Sequence, residues 1–444
     1  MLRLIFKPWM IWTTATLVAS IVLAMGLSVE SEPNEFGSVY LPGRTTNGHH
    51  QIQEKCSACH SSNGDVNEQS CLDCHQQALS EFKDTHPKAK FKDPTRLVLL
   101  ESIDATKCLT CHREHDGPRT REMGLTVPED FCWHCHKDVA NDRPSHTDFK
   151  FNSCLNAGCH NFHDNSALYE NFLEKHLNEP ANLVEQLVQH RSQAEPSGPK
   201  SLKSEDADAP AEKLSDNQLL RDWAETAHAH VGVNCQGCHL TQKDDESKVW
   251  NDAVTLETCA QCHKSEAMTF TEGKHGMRVA AGLPEMTPSL ARLPMHSEAS
   301  HRQLNCSACH VGHRFDTRYA AVEACLQCHN DEHSRAFKNS SHFELWTSEL
   351  TGDLPPGSGV SCATCHMPRQ ASASGAVRVM HNQNWNLQPN EKMARSVCMD
   401  CHGLGFTLDS LASEALIENC FSTTPETKVD SLELVREWFE KKRK

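Results

Sequence analysis

Aromatic side chains are scarce in this 444-residue chain: they make up 6% of it, with only three tyrosines. Hydrophobic residues as a whole reach 38%, and mean hydropathy is −0.57. The length allows two or three domains, but the apolar mass is too small for ordinary cores of that size. Something other than aliphatic side chains must fill the interior. Positive charge is also short: 43 Lys and Arg face 59 Asp and Glu, a net of −16. That balance argues against nucleic acid as a partner, because phosphate backbones attract the opposite sign. The chain has no glycine-rich phosphate loop, no nucleophile elbow and no dinucleotide fingerprint. Strand signals are weak throughout.

The long apolar run lies at the N-terminus. Arg3 and Lys7 precede uncharged residues from Trp9 to about Val29. About 20 such residues can span a bilayer as a helix, whereas the apolar part of a signal peptide is usually about 7–15. Residues 1–29 are therefore expected to anchor the chain in a membrane. Small residues at Ala24, Gly26 and Ser28 leave a cleaved signal open. Either way the chain is exported with its basic end left in the cytoplasm. It would then sit on the periplasmic side of the cytoplasmic membrane, anchored or, if cleaved, soluble.

Against these shortages stand 23 cysteines and 29 histidines. Cys-x-x-Cys-His occurs ten times: Cys56/Cys59/His60, Cys71/Cys74/His75, Cys108/Cys111/His112, Cys132/Cys135/His136, Cys235/Cys238/His239, Cys259/Cys262/His263, Cys306/Cys309/His310, Cys325/Cys328/His329, Cys362/Cys365/His366 and Cys398/Cys401/His402. An eleventh motif, Cys154/Cys159/His160, has four residues between its cysteines. Only Cys420 is left over; a buried thiol or an intermolecular link would account for it.

The motif is the attachment site of c-type haem. Its two thiols add to the haem vinyl groups, and the histidine that follows becomes the proximal iron ligand. A zinc site or a redox dithiol would explain one copy, but not ten with the same following histidine. Eleven covalently bound c-type haems are expected. At that density each haem touches a neighbour, and the porphyrins supply the missing core.

Eighteen histidines remain for the far side of the irons. His230 and His301 each precede Asn-Cys by the same spacing, and His50 lies in a similar frame before Cys56. His115, His163 and His313 each follow a proximal histidine by three residues, too close to reach their own iron but able to reach a neighbour's. With His86, His146, His275, His296, His342 and His381 they form the expected distal set. His49 and His333 are undecided, and His134, His176, His190 and His228 are set aside. Paired histidines close both axial positions and favour electron transfer over catalysis.

Five motifs precede His160 and six follow Asn234. Between them an acidic, Ser- and Pro-rich stretch reads as a solvated linker. The expected organisation is a pentahaem lobe over 30–178, an acidic linker over 179–226 with a short helix over 181–190, a hexahaem lobe over 227–420 and a C-terminal helix over 421–444. That helix carries Leu432, Val435 and Phe439 on one side. The fold class is mainly α with much irregular coil and little β-structure.

The motif density resembles that of multihaem cytochromes c. The first lobe is similar to small tetrahaem and pentahaem periplasmic carriers. The second resembles the hydroxylamine oxidoreductase and multihaem nitrite reductase group through Gly273-Lys-His-Gly276, Ser361-Cys-Ala-Thr-Cys-His-Met-Pro368 and His381-Asn-Gln-Asn384. It departs from that group in having no Cys-x-x-Cys-Lys motif and no tyrosine beyond the last motif. The resemblance implies redox partners: a quinol-linked donor, or a periplasmic or outer acceptor. The expected function is electron transfer in a periplasmic respiratory pathway. Reduction or oxidation of a small nitrogen or sulfur compound (nitrite, hydroxylamine, tetrathionate) at a haem of the second lobe is the alternative.

Overall fold

The computed structural model describes residues 12–20, 42–81, 86, 91, 103–150, 154, 159–163, 168, 170–183, 201–242, 247–371, 377–387 and 389–444. Residues 44–444 form one compact unit, separate from residues 1–43. Within the latter, 12–20 are helical. Among the described residues no helix is long and apolar enough to cross a membrane; the rest of the expected anchor lies outside them.

The architecture is short helices joined by coil, with four three-residue strands in two hairpins. The haem motifs account for much of this. Cys108–Cys111, Trp133–His136, Cys235–His239, Cys306–Cys309 and Cys362–His366 are each about one helical turn. In most motifs the histidine N–H donates to the first cysteine's carbonyl, as in His60 to Cys56 (2.8 Å), His263 to Cys259 (2.9 Å) and His402 to Cys398 (2.8 Å). This bond sets the two side chains on one face of the turn. The turns are capped locally. Ser361 and Thr364 cap each other reciprocally ahead of Cys362, and Asn234 accepts the Cys235 N–H at 2.8 Å.

Both hairpins directly follow a motif. Leu240–Gln242 pairs antiparallel with Lys248–Trp250 after His239, and Arg369–Ala371 pairs with Val377–Val379 after His366. The first brings Trp250 flat against the His239 ring, 4.8 Å between centroids. The second delivers His381.

The largest apolar cluster joins distant parts of the chain. Leu168, Leu173 and Leu177 pack with Met393, Leu404, Leu408 and Leu411 and with Leu432, Val435 and Phe439. The last three line the buried side of the helix Asp430–Arg443. Cys159, Cys365 and Cys398 border the same cluster. Beside it Asn182 forms a bridge with His402, and the Leu183 N–H donates to the Cys401 carbonyl at 2.8 Å. Gly403 has no room for a side chain there, since a Cβ would collide with the Pro180 carbonyl. A second contact ties the N-terminal motifs to the rest. The half-buried segment around Gln51 receives Arg278, whose guanidinium donates to the Gln51 carbonyl (2.8 Å) and pairs with Glu54 (2.5 Å).

The stretch read as a linker carries regular structure at Ser204–Asp206 and Asn217–Ala224. Asn217–Ala224 is a helix capped by Asp216, and Leu202, Trp223 and Ala229 form a small core. The polar majority hid Leu202 and Trp223, the residues of the stretch that enter this core. Residues 181–183 are extended rather than helical; 184–190, the rest of the expected short helix, lie outside the described residues.

Leu404 is fully buried in the joining cluster. Leu404→Ala should cost about 2–5 kcal/mol, read as a lowered midpoint in thermal unfolding of the haem-loaded protein with its haem content unchanged.

Candidate haem sites

Ten of the eleven proximal histidines face a second histidine ring. In chain order of the proximal residue the centroid separations are His75–His49 5.9 Å, His112–His163 6.2 Å, His136–His86 6.0 Å and His160–His146 6.3 Å. In the second group they are His239–His313 5.7 Å, His263–His228 5.9 Å, His310–His381 6.3 Å, His329–His275 6.2 Å, His366–His333 6.0 Å and His402–His342 6.2 Å. A metal held between two imidazole nitrogens ~2.0 Å from each sets the centroids ~6.3 Å apart. The ring pairs therefore fit an iron between them, and the two thiols of each motif lie one turn away on the proximal side. These free thiols stand for the thioether sulfurs of the haem-bearing chain.

The second nitrogen of many of these rings is held. His112 Nδ1 meets the Gly124 carbonyl (3.3 Å), His239 that of Asn251 (2.7 Å), His402 that of Ala181 (3.1 Å), His86 that of Phe162 (3.0 Å) and His381 that of Val379 (3.0 Å). Such bonds fix the tautomer and turn the other nitrogen toward the metal. Burial and His329 push His275 down to about 4, and burial and His333 do the same for His366. These rings are neutral at pH 7, the form that binds iron.

The distal set differs from the sequence expectation in both directions. Seven expected rings, those of His86, His146, His163, His275, His313, His342 and His381, stand opposite a proximal histidine. His163 and His313 do so across to another motif's ring, as their three-residue offset requires. His230 and His301 are exposed, and His296 lies near Glu298 (3.9 Å). Among the described residues none of these three, nor His50, joins a histidine pair. The Asn that His230 and His301 share with their motifs serves other ends: Asn234 caps its helix and donates to the Asp206 carbonyl, and Asn305 reaches Glu285. His115 has a partner of its own, and its ring is in none of these ten pairs.

In their place stand His49, His228 and His333. His228 and His230 lie two apart on one helical turn, so they point to different sides, and His228 is the one turned inward against Phe315. His333 follows His329 by four residues, so a search for histidines shortly after a motif, widened by one position, finds it. It also lies 3.8 Å from the buried Cys420 thiol.

Successive motifs are neighbours in space. Cys59 is within electrostatic reach of Cys74, Cys71 of Cys108, and Cys132 of Cys154 and Cys111. In the second group Cys238 is within such reach of Cys259, Cys259 of Cys306, Cys309 of Cys325, Cys325 of Cys362 and Cys398 of Cys365. The motifs quoted for the second lobe also meet. A Cβ at Gly273 would come within 3.1 Å of the Asn382 Cα, and the Lys274 N–H donates to Asn384 Oδ1 at 3.4 Å. Asn386 donates to the Cys365 carbonyl at 2.7 Å.

Three attachment cysteines, Cys56, Cys74 and Cys262, are exposed, and Cys135 is half-buried like most of the series. Cys135 and Cys262 both keep the geometry of the motif turn, each N–H donating to the first cysteine's carbonyl at 3.2 Å. Cys262 lies within the exposed run 261–264, and Cys135 between the exposed His134 and His136. Cys262 bears on Cys238 of the preceding motif, and Cys135 on Cys132 of its own. Polar residues flank both cysteines (Gln261 and Lys264 in one turn, His134 and Lys137 in the other).

His49 is oriented by Glu114, whose Oε1 takes the ring Nδ1 (2.6 Å) and the Thr46 hydroxyl (2.8 Å). Burial alone would raise this carboxyl, but the His49 and Thr46 bonds outweigh it and hold it at about 2. A depressed folded value stabilises above the ordinary range and is lost as pH falls through it. Thermal midpoints should therefore drop between about pH 5 and pH 2, and Glu114→Gln should flatten that part of the curve.

Residues 227–330 match the family model described as Cytochrome c3. Four Cys-x-x-Cys-His motifs lie within that span, from Cys235 to His329. No solved structure matches the chain. With the cysteine series, the family match supports a multihaem c-type cytochrome that carries covalently bound haem and transfers electrons to and from redox partner proteins.

Proposed function

We propose that the chain is an exported undecahaem c-type cytochrome that conducts electrons along one series of histidine-bracketed sites in a periplasmic respiratory pathway. The carrying observation is the set of ten histidine pairs at 5.7–6.3 Å, with neighbouring cysteines linking consecutive motifs within each group and Cys159 bordering the same cluster as Cys365 and Cys398. Bound haem supplies a one-electron iron couple at each site. The chain's own part is to fix spacing: each turn holds two sulfurs and one ring, and each distal ring comes from another segment. All six proximal rings of the second group face a histidine, which supports transfer rather than substrate chemistry there. The N-terminal apolar run fits an anchor on the periplasmic side of the cytoplasmic membrane. A quinol-linked donor or a periplasmic or outer acceptor would complete the pathway.

The intact mass of the mature protein should exceed the polypeptide by eleven haems; a lower count, with the shortfall mapping to Cys154, would limit the series to ten. Membrane fractions should release the protein to detergent and not to salt. Release by salt alone would favour the cleaved form.

A further inference from the structure

The two rings of each pair meet at an angle, and the angles differ from site to site. Three pairs are crossed: His136 and His86 at 90°, His263 and His228 at 89°, His366 and His333 at 85°. Two are nearly parallel: His112 and His163 at 20°, His239 and His313 at 17°. The axial ligands and their surroundings set a haem's potential, and ring orientation is part of that setting. Two parallel imidazoles donate into one iron dπ orbital and raise it above the other, which favours the ferric state. Two crossed imidazoles donate into both orbitals, leave them nearly level and shift the balance toward the ferrous state.

An axial ring turns about its metal–nitrogen bond unless the protein holds it. His239 is held by two consecutive residues of the hairpin that follows its motif. Asn251 takes the ring Nδ1 on its carbonyl at 2.7 Å and donates its own N–H to the His239 carbonyl at 2.8 Å. Trp250 lies face to face with the ring, 4.8 Å between centroids and 11° between planes. The carbonyl bond fixes the tautomer, and the flat indole opposes rotation of the ring out of its plane. The indole is itself tied down. Its Nε1–H donates to Asp252 Oδ1 at 2.9 Å, and Lys213 pairs with the other Asp252 oxygen at 2.8 Å. A stack holds a ring at whatever angle it is set: Phe162 lies flat on His86 at 14°, and that pair is crossed. At His239 the held plane matches that of His313. The next motif is the contrast. Phe315 meets His228 edge-on, at 77°, in the crossed pair of the Cys259 site, and Cys238 is within electrostatic reach of Cys259.

We propose that Trp250 is a positioning residue for electron transfer: by holding His239 parallel to His313 it keeps the Cys235/Cys238/His239 site at low potential, so that the step to the crossed Cys259/Cys262/His263 site runs downhill. One electron leaves the first iron and reduces the second, and no bond or proton moves. The inference rests on haem being bound at both motifs, which the intact mass tests separately.

The experiment is low-temperature electron paramagnetic resonance with potentiometric titration of the fully loaded protein. Cys235→Ala/Cys238→Ala should remove one rhombic low-spin signal. Cys259→Ala/Cys262→Ala should remove one strongly anisotropic signal, of large gmax, that is reduced at higher potential. Trp250→Leu fills the space without a flat face. It should shift the rhombic signal of the Cys235 site toward the strongly anisotropic type and raise its potential, with the haem content unchanged. Trp250→Phe should restore both. A Trp250→Leu protein that keeps its haems and the rhombic signal would overturn the proposal, as would an equal change in Trp250→Phe. Loss of a haem from Trp250→Leu would reassign the indole to haem attachment and overturn the positioning role. A Cys235 signal reduced above the Cys259 signal would overturn the downhill step. Failure of the haem reading looks different: Cys235→Ala/Cys238→Ala would then lose no haem.

Discussion

Everything in this molecule follows from one local bond: the N–H of a motif histidine donating to the carbonyl of the cysteine four residues earlier. That bond makes a single helical turn, and the turn carries two sulfurs and one ring. It needs no hydrophobic side chain of its own, so it can be repeated through a polar chain. What it cannot supply is the second ring. Each site must take that from another segment, and this requirement folds the chain. His163 reaches back to His112, His381 reaches His310, and His342 reaches forward to His402. Tertiary structure here is largely a map of who lends a histidine to whom.

The aliphatic contribution is concentrated where that map alone would leave a gap. The cluster of Leu173, Leu177, Leu404, Leu432 and Phe439 holds the stretch after the first motif group against the last motif and the C-terminal helix. Burial of five such side chains is worth several kcal/mol by area. The scarcity of apolar residues noted in the sequence is thus a matter of placement: few are needed once the prosthetic groups fill the rest.

The proximal half of every site is written in the sequence, because it is local and covalent in its logic. How deeply each sulfur sits is not: Cys56, Cys74 and Cys262 are exposed while Cys328 is buried. The distal half is only partly legible. His163 and His313 follow from a repeated offset, and the helix with Leu432, Val435 and Phe439 from its periodicity. His49 and His228 do not, because each has a histidine one or two residues away and composition cannot say which ring faces inward. That choice is made by Glu114, which grips His49, and by the turn at Thr226, which buries Ala229 and swings His228 toward Phe315. The shared frame around His230 and His301 is a real pattern with another cause. It encodes an asparagine that anchors the chain ahead of the motif. Residues 201–226 read as linker because one tryptophan and four leucines among many charges carry little weight in a composition.

The bridge between Asn182 and His402, with Gly403 tight against Pro180, makes the two motif groups mutually dependent parts. A chain cut within residues 184–200 would leave Leu173 and Leu177 on one piece and their partners Leu404 and Leu408 on the other, each with an uncovered apolar face. The two groups therefore cannot be traded as independent cassettes. A chain that emerges N-terminus first must keep its early apolar face from self-association until the last motif arrives. The final site is at once a haem site and the clasp that closes the molecule.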